Sequence, residues 1–437
     1  MIKSLVKKIL PNSVISRYHY FLAFAGALFY GFPSKKIKVI GVTGTNGKST
    51  VVYLLAQMLK NAGYKVALSS SIEFWMGDKI WPNTFKMTMP GKAFLQKFLK
   101  QALISGCDYV IVEVTSEGIL QNRHAFIDFD SVVLTNISPE HIERHGGYEN
   151  YKRTKGKLFE ALGSSTKNNK NIIINIADKE ANYFLSLVGD DPTKRPSGVV
   201  FRRSDQVATT GIFSGIQEVV SANERVNKEG VLFNINGVEF ESKLQGVFNI
   251  ENLLAVISVG IGQHMQLDDM SKFLKECGVV PGRLEKISNS RNIDIYVDYA
   301  HTPAALEAVY QTLSRNSELV CVLGAAGGGR DKWKRPELGR IAAQYCKKII
   351  LTNEDPYDED PKNIIEAIEE GIKEKKESDI DFEIIIDRKK AIIKAIEFTK
   401  PGQALIVTGK GSENLMMLAH GEKMSWDDRE IIKEIIA

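Results

Sequence analysis

The segment Gly41-Val42-Thr43-Gly44-Thr45-Asn46-Gly47-Lys48-Ser49-Thr50 joins a short apolar run, Lys36–Gly41, to a helical pattern from Lys48 to Asn61. Glycines at a strand-to-helix turn let backbone N–H groups point inward, and with the helix dipole they favour a polyphosphate. In such a loop Lys48 reaches the terminal phosphates and Ser49 ligates Mg²⁺, with Gly44, Thr45, Asn46, Gly47 and Thr50 completing the cradle. The alternative is a structural glycine-rich turn, which the strand–GKST–helix context argues against. Val42 occupies the place of the usual first glycine, and Gly44 lies three residues before Gly47, so TGTNGKS is a subtype of its own.

Further candidates lie downstream. Glu113 stands near the end of the apolar run Tyr109–Val114, where a carboxylate beside a phosphate loop is placed to hold Mg²⁺. The block Thr135–Gly146 (TNISPEHIERHG) contains His141 and His145 around Glu143. A lone histidine is usually core or surface, but inside this block His141 reads as a site residue. Asn249 and Asn252 are one helical turn apart and can face one ligand together, although such residues in isolation are more often caps.

These residues need a scaffold that brings strand ends together. Apolar runs at Tyr109–Val114, Ser131–Asn136 and Asn171–Asn175 alternate with helical stretches, the pattern of a largely parallel sheet covered by helices. Between Val199 and Gly246 the texture changes to alternating strands, and Asn236-Gly237 is a preferred type I′ hairpin turn. An antiparallel flap on the first domain is expected there. Pro281-Gly282 reads as a hinge. Beyond it, runs at Ile293–Val297, Leu319–Leu323, Lys348–Leu351, Phe382–Ile386 and Ala404–Val407 predict a second, smaller Rossmann-like α/β domain. The expected division is 1–36, an amphipathic helical segment; 37–282, the ATP-binding domain; and 283–437.

The first segment has two readings. Ile2, Leu5, Val6, Ile9 and Leu10 form one helical stripe, with Lys3, Lys7 and Lys8 opposite. After Pro11, with Asn12 or Ser13 as cap, a second stripe reads Val14, Tyr18, Phe21, Leu22, Ala25, Leu28 and Phe29. One reading docks both helices on the first domain as core; the other lays residues 1–32 on a membrane surface as a basic amphipathic anchor. The run Tyr20–Phe32 is too short to span a bilayer, and no cleavage site of a secretory signal follows it.

Composition sets outer limits. The 437 residues are 43% hydrophobic and 25% charged, a balance that excludes disordered, collagenous and coiled-coil chains. Lys+Arg 57 against Asp+Glu 53 leaves +4, too little to mark a nucleic-acid binder. Cys107, Cys277, Cys321 and Cys346 form no CxxC pair, so neither a zinc knuckle nor a disulfide framework is expected, in keeping with a reducing cytoplasm.

TGTNGKST resembles the ATP loop of the Mur ligases and the related folylpolyglutamate synthases, and further matches from about Lys38 to the C-terminus favour the Mur family, with the tripeptide ligases nearest. The resemblance implies an ATP- and Mg²⁺-dependent ligase of peptidoglycan synthesis that joins an amino acid to a muramoyl-peptide carboxylate through an acyl phosphate. TNISPEHIERHG is similar to the family's TN-x-S-x-DH-x-D-x-HG, which gives His141 a part in holding a second Mg²⁺. Glu149–Phe159 resembles ENY-x3-K-x-K-LF, in which the lysine matching Lys155 is carbamylated and so becomes a metal ligand. GVFNIEN (Gly246–Asn252) places Asn249 and Asn252 on the adenine side. PGRLE and DYAHTP place Arg283, Asp298 and His301 over the nucleotide, and GGGRDKWKRP does so for Arg330.

For the acceptor, EVTSEGILQNR resembles a muramoyl-contacting motif through Ser116 and Arg123, and Thr88 stands in a TTP-like segment. For the incoming amino acid, Glu354-Asp355-Pro356-Tyr357 occupies the place of DNPR, whose arginine pairs with the distal carboxylate of diaminopimelate. Tyr357 cannot form that bidentate pair, and the nearby acids suit lysine or ornithine. Gly409 and Glu413 lie in GKGSE, where Glu413 matches the ligand of the incoming ammonium. Only 36 residues precede the ATP-binding domain, where family members carry a UDP-holding domain. A lipid-linked muramoyl peptide therefore stands beside the UDP-linked one as expected substrate, for a monomeric cytoplasmic enzyme or one peripheral to the inner face of the membrane. Other carboxylates, such as a folate or a poly-amino acid, and a non-catalytic nucleotide-binding role are the competing readings.

Overall fold

The computed structural model describes residues 11–91, 93–188, 196–209, 216–374 and 381–436. The stripe Ile2–Leu10 falls outside them. Among the described residues, one sheet is built from β1 (Lys38–Thr43), β2 (Val66–Ser69), β3 (Glu73–Met76), β4 (Lys79–Pro82), β5 (Tyr109–Glu113), β6 (Ser131–Leu134), β7 (Asn171–Asn175), β8 (Ser197–Arg202) and β9 (Ile216–Val220). Their order is β4-β3-β2-β5-β1-β6-β7-β8-β9. Only the β2–β3 and β3–β4 pairs are antiparallel; the rest are parallel. Strand alternation sends Ile40 and Val42 to one face and Val39 to the other. Helices α1 (Asn12–Tyr30), α2 (Lys48–Asn61), α3 (Phe94–Ile104), α4 (Ser116–Leu120), α5 (Ile142–His145), α6 (Tyr148–Gly163), α7 (Ala181–Ser186), α8 (Val247–Gly262) and α9 (Leu267–Lys275) belong to this half. Leu54 and Leu55 of α2 and Leu253 and Leu254 of α8 build the core on one face, Leu99 of α3 and Phe159 of α6 that on the other.

The expected flap is present as β10 (Ala222–Asn227), β11 (Gly230–Ile235) and β12 (Val238–Ser242), an antiparallel sheet whose second turn is Asn236-Gly237, both at positive φ. The stretch before it differs from expectation, because β8 and β9 join the parallel sheet instead.

After Gly282 come β13 (Glu285–Ile287), β14 (Asp294–Asp298), α10 (Pro303–Ser314), β15 (Leu319–Leu323), α11 (Lys334–Tyr345), β16 (Cys346–Leu351), α12 (Pro361–Lys373), β17 (Asp381–Ile384), α13 (Arg388–Phe398), β18 (Ala404–Thr408), β19 (Leu415–Met417), β20 (Lys423–Ser425) and α14 (Asp428–Ile436). Strands in the order β13-β14-β18-β15-β16-β17 form a six-stranded sheet, parallel except at β13. Helices α10 to α12 cover one face and α13 and α14 the other.

Three expectations need correction. Cys321 and Cys346 form a disulfide, where no disulfide framework was expected. They sit on neighbouring parallel strands joined through α11, with Leu319 opposite Cys346, a proximity that no sequence spacing reveals. The compartment argument drawn from cysteine spacing falls with it. In α1, the stripe read as a core face points outward: Val14, Tyr18, Phe21, Leu28 and Phe29 are exposed, Phe29 by 81%. The helix docks instead through Gly26, which packs against Ala93 and Gln96 at the α3 start, and beside it Ala27 is fully buried. Tyr20 packs tilted and Phe24 edge-on against Phe126, with ring centroids 4.9 and 5.3 Å apart. Pro11, not Asn12 or Ser13, is the cap residue.

Candidate functional site

The loops that follow the C-terminal ends of β1, β5 and β6 in one half, and of β14, β15, β16 and β18 in the other, face a shared cleft of about 770 Å³. That is the end of a parallel sheet where ligands bind. Register places Glu113 beside Val42 and Leu134 beside Thr43, so residues far apart in sequence meet at the phosphate loop.

In that loop Gly44 and Gly47 are required by close approach. A Cβ on Gly44 would lie 1.9 Å from Thr135 Oγ1, and one on Gly47, at φ 82°, 2.2 Å from Asn252 Oδ1. Asn136 accepts from the Asn46 and Thr45 N–H groups through Oδ1 and its carbonyl, at 3.0 and 2.9 Å. Thr135 Oγ1 donates to the Asn46 carbonyl at 2.6 Å. Lys48, at the start of α2, donates to the Gly44 and Thr45 carbonyls at 3.1 and 2.7 Å. Its burial holds the ammonium pKa below the ordinary lysine value, against the pull of Glu113 and with the help of Arg283.

Ser49 Oγ donates to Glu113 Oε1 at 3.0 Å, and the other carboxylate oxygen accepts from Ser71 N–H at 2.8 Å. Arg283 donates to Ser49 Oγ at 3.0 Å from across the cleft and lies over the Tyr299 ring. A hydroxyl and a carboxylate this close are hard oxygen donors, which suits Mg²⁺. No cluster of three or more His, Cys, Asp or Glu side chains with metal-binding geometry occurs among the described residues.

Lys155 of α6 is 1% exposed and donates to the Gly44 carbonyl at 2.7 Å. Burial, then the charge of Lys48, keeps its pKa well below that of a free lysine. Its ammonium lies 4.8 Å from the centre of the Tyr151 ring, whose hydroxyl bonds Thr45. His141 is held in the left-handed region at φ 55°, and burial followed by the charges of Arg330, Lys334, Lys155 and Lys48 pushes its pKa down to about 2. Its neighbour Glu140 is buried and paired with Lys334 at 3.1 Å.

Several contacts between the halves escaped the sequence reading. Asp331 accepts from the Ile142 and Glu143 N–H groups at 3.1 and 3.2 Å, and Thr302 donates to Asn46 at 3.3 Å. These residues lay inside recognised motifs, so a signal existed. Ser71 and Lys86 carried none.

Asn249 and Asn252 bond each other at 2.9 Å and both line the cleft. Asp298 also lines it, but both its oxygens accept backbone N–H groups, from Leu284 and Ala300 at 2.6 Å each, which fixes the hinge turn. His301 bonds the Tyr299 carbonyl through Nδ1 at 2.9 Å. Arg330 lines the cleft near Tyr299, Tyr357 and Glu413.

On the acceptor side Thr88, Ser116 and Arg123 all line the cleft. Ser116 Oγ lies 3.1 Å from His145 Nε2. Glu117 pairs with Arg144 at 2.9 Å; burial would raise its pKa, but the Arg144 bond and charge outweigh this and hold it at about 2.

The amino-acid side departs most from expectation. Asp355, Tyr357 and Glu413 face the cleft, whereas Glu354, Pro356 and Gly409 do not line it. Glu354 is buried behind the wall, where a Cβ on Gly409 would meet its Oε2 at 2.4 Å. Nor are the two facing acids free. Lys410 bonds Asp355 at 2.8 Å and Glu413 at 2.9 Å, and Lys86, from the loop after β4, bonds Asp355 at 2.8 Å and also Glu413. Beneath them Arg388 and Asp428 form a wholly buried pair at 2.7 Å.

Comparison with known proteins agrees with this geometry. The family model described as the Mur ligase middle domain matches residues 42–260, and that of the Mur ligase glutamate ligase domain matches 282–411. A UDP-N-acetylmuramoyl-L-alanyl-D-glutamate–2,6-diaminopimelate ligase of Bacillus cereus is 32% identical, over 95% of this chain and 81% of its own length. The enzyme of that name from Aquifex aeolicus is 34% identical, over 93% and 79%. A solved structure of a ligase so named has a TM-score of 0.60 at 29% identity, covering 92% of this chain and 78% of that one. The Mycobacterium tuberculosis folylpolyglutamate synthase complexed with ADP shares the fold, with a TM-score of 0.66 at 16% identity over 93% and 94%. The chain belongs to the Mur ligase family and is an ATP-dependent ligase that forms amide bonds.

Proposed function

We propose that this chain is a tripeptide-ligase-type enzyme of peptidoglycan synthesis that adds a diamino acid to the terminal carboxylate of a muramoyl dipeptide. The observation that carries this is the meeting of Lys48, Ser49, Glu113, Lys155 and Arg283 in one cleft with Thr88, Ser116 and Arg123. The 37–282 half supplies the nucleotide and acceptor sites, and the 283–437 half supplies Arg283 and the amino-acid wall.

In this reading the cradle formed by Gly44, Thr45, Asn46, Gly47 and Thr50 holds the polyphosphate of ATP, and Asn249 and Asn252 lie on its adenine side. Lys48 and Arg283 neutralise charge on the transferred phosphoryl group. Asp298 and His301 fix the second half over the nucleotide, and Arg330 lies at its phosphate end. Ser49 and Glu113 would hold one Mg²⁺, and His141 with a carbamylated Lys155 would hold a second; these ions would neutralise phosphate charge. The depressed pKa of Lys155 supports the carbamate, because the neutral amine is the form that adds CO₂. Thr88, Ser116 and Arg123 orient the acceptor, whose carboxylate oxygen bonds the γ-phosphorus as the bond to ADP breaks. Contacts of Asp331, Lys334 and Thr302 across the cleft keep water from the acyl phosphate until the amine displaces phosphate.

Lysine or ornithine is the first reading of the incoming amino acid, supported by Tyr357 in the place of an arginine. Diaminopimelate is the second, favoured by the names of the relatives and by the pairing of Asp355 and Glu413 with Lys410 and Lys86. Phosphate release with UDP-MurNAc-L-Ala-D-Glu and each of the three amino acids, with product masses, separates these readings. A wild-type enzyme that yields no amide with any of them would remove the UDP-linked substrate.

No described helix is long and apolar enough to cross a membrane. The exposed apolar face of α1, with Arg17, Lys35 and Lys36 and no acid before Glu73, supports peripheral contact of residues 1–32 with an anionic lipid surface. Ser16 of this helix bonds Asn122, next to Arg123, so such contact would bring lipid near the acceptor and supports a lipid-linked muramoyl peptide as the alternative substrate. The enzyme would then be a cytoplasmic monomer working at the inner face. Flotation with phosphatidylglycerol vesicles tests it: a protein that stays at the bottom of the gradient has no such contact.

A further inference from the structure

We infer that Lys86 is a built-in occupant of the amine seat, which the incoming amino acid must displace. The inference rests on the ligase reading. It starts from the loop between β4 and α3, which is fixed by its own residues. Asn83 donates to the Ser70 and Met87 carbonyls at 2.8 and 3.1 Å and accepts from Phe85 N–H at 3.0 Å. Lys86 follows at φ 52°, in the left-handed region, and its side chain crosses to the second half. There its ammonium bonds Asp355 at 2.8 Å and also Glu413.

The two lysines of this cluster differ. Lys410 is wholly buried and has three acceptors, Asp355, Glu413 and the Leu415 carbonyl at 2.6 Å, which uses all three of its N–H bonds. It is part of the wall. Lys86 comes from the opposite half, has two acceptors and keeps 12% exposure at the cleft. It can leave without disturbing the wall. Both carboxylates are then available to one new ammonium, and the vacated geometry already fits one.

Glu413 is the residue that the motif assigns to the incoming ammonium, so substrate and Lys86 compete for one site. The same loop carries Met87, Thr88 and Met89 along the acceptor side of the cleft. Amine arrival is thereby linked to the segment that meets the acceptor, through a single side chain. Lys86 is a positioning residue here; nothing assigns it contact with the reacting atoms.

The experiment has two readouts. Pulsed acetylation followed by peptide mass mapping reports Lys86 in the resting protein, normalised in the same digest to the exposed Lys272. Lys86 should be several-fold protected, and millimolar L-lysine or meso-diaminopimelate should remove that protection. In steady state, Lys86→Met should lower the KM of the accepted amino acid about fivefold while the KM of ATP stays within twofold, and Lys86→Arg should behave as the parent. Labelling of Lys86 that ignores both amino acids, or a Lys86→Met KM that is unchanged or higher, overturns the inference. Labelling that responds in a protein making no amide product from the muramoyl dipeptide removes the tripeptide-ligase reading and leaves the seat.

Discussion

At the nucleotide end of the cleft Lys48, Lys155 and Arg283 crowd together, and their immediate partners are mostly backbone carbonyls and a serine hydroxyl. At the amino-acid end, 3 Å or less separates each of two lysines from the carboxylate of Asp355. The first arrangement leaves positive charge to be met by an arriving polyanion; the second is closed on itself and can accept a charged substrate only by exchange. The contrast shows why the family loop reads so clearly while specificity does not. A cradle of backbone amides depends on local glycine geometry, whereas an ion-pair cluster depends on which distant side chains arrive.

The largest effect should come from removing Lys155 at the open end, and with it the metal ligand that its carbamate would supply. Lys155→Ala is expected to lower kcat at least about 10³-fold, by analogy with other losses of transition-state charge stabilisation. The affinity for ATP should stay within about threefold, because Lys155 bonds the Gly44 carbonyl and is not part of the glycine cradle itself. Phosphate release and nucleotide binding, measured side by side, check this. Turnover that survives in Lys155→Ala would mean that the carbamate assignment is wrong and that Lys48 and Arg283 suffice.

A change beneath the closed end should act on stability instead. Arg388 and Asp428 are both fully buried and joined by two hydrogen bonds, at 2.9 and 2.7 Å. Removing one partner strands the other charge, which costs about 3–5 kcal/mol. Arg388→Met should therefore lower the urea midpoint of unfolding by that equivalent. A loss below about 1 kcal/mol would show that water reaches Asp428 and that this floor is softer than its burial implies.

Legibility in the sequence followed the same division. The phosphate loop and the helix after it were readable because strand, turn and helix are contiguous; α2 begins at Lys48 and ends at Asn61 as the pattern predicts. The parallel strands of both halves were readable as short apolar runs. The meander β2–β4 was not read, although Gly77 and Asp78 mark its second turn. In α1 the periodicity identified a helix but not its docked face, since Gly26 allows a close approach that bulk apolar side chains would prevent. The Cys321–Cys346 disulfide and the Lys86 bridge are products of topology. They join positions that the chain brings together only through a crossover or through the packing of one half against the other.

The smallest effect, and the most direct probe of the positive field, is on pH dependence. His141 and His301 are kept neutral first by burial and then by Lys334 and Arg330 among their cationic neighbours, His141 down to about pH 2. The unfolded chain takes up protons at both rings below about pH 6.5, whereas the folded chain does not. The unfolded state thus binds more protons below that pH, and folding stability must fall as pH falls. Between pH 6.5 and 5.5 each ring should contribute on the order of 1 kcal/mol of this loss, less where solvent screens the field. The double variant His141→Gln, His301→Gln should flatten the acid limb of a stability–pH curve measured by urea unfolding, with the slope above pH 7 unchanged. Polyphosphate binding should act in the same direction by a different route, since an anion beside Lys48 and Arg330, which line the cleft, weakens the field and lets the rings titrate. If nucleotide leaves the acid limb of the wild type untouched, burial alone sets these two histidines, and the contrast between the ends of the cleft lies in geometry and not in charge.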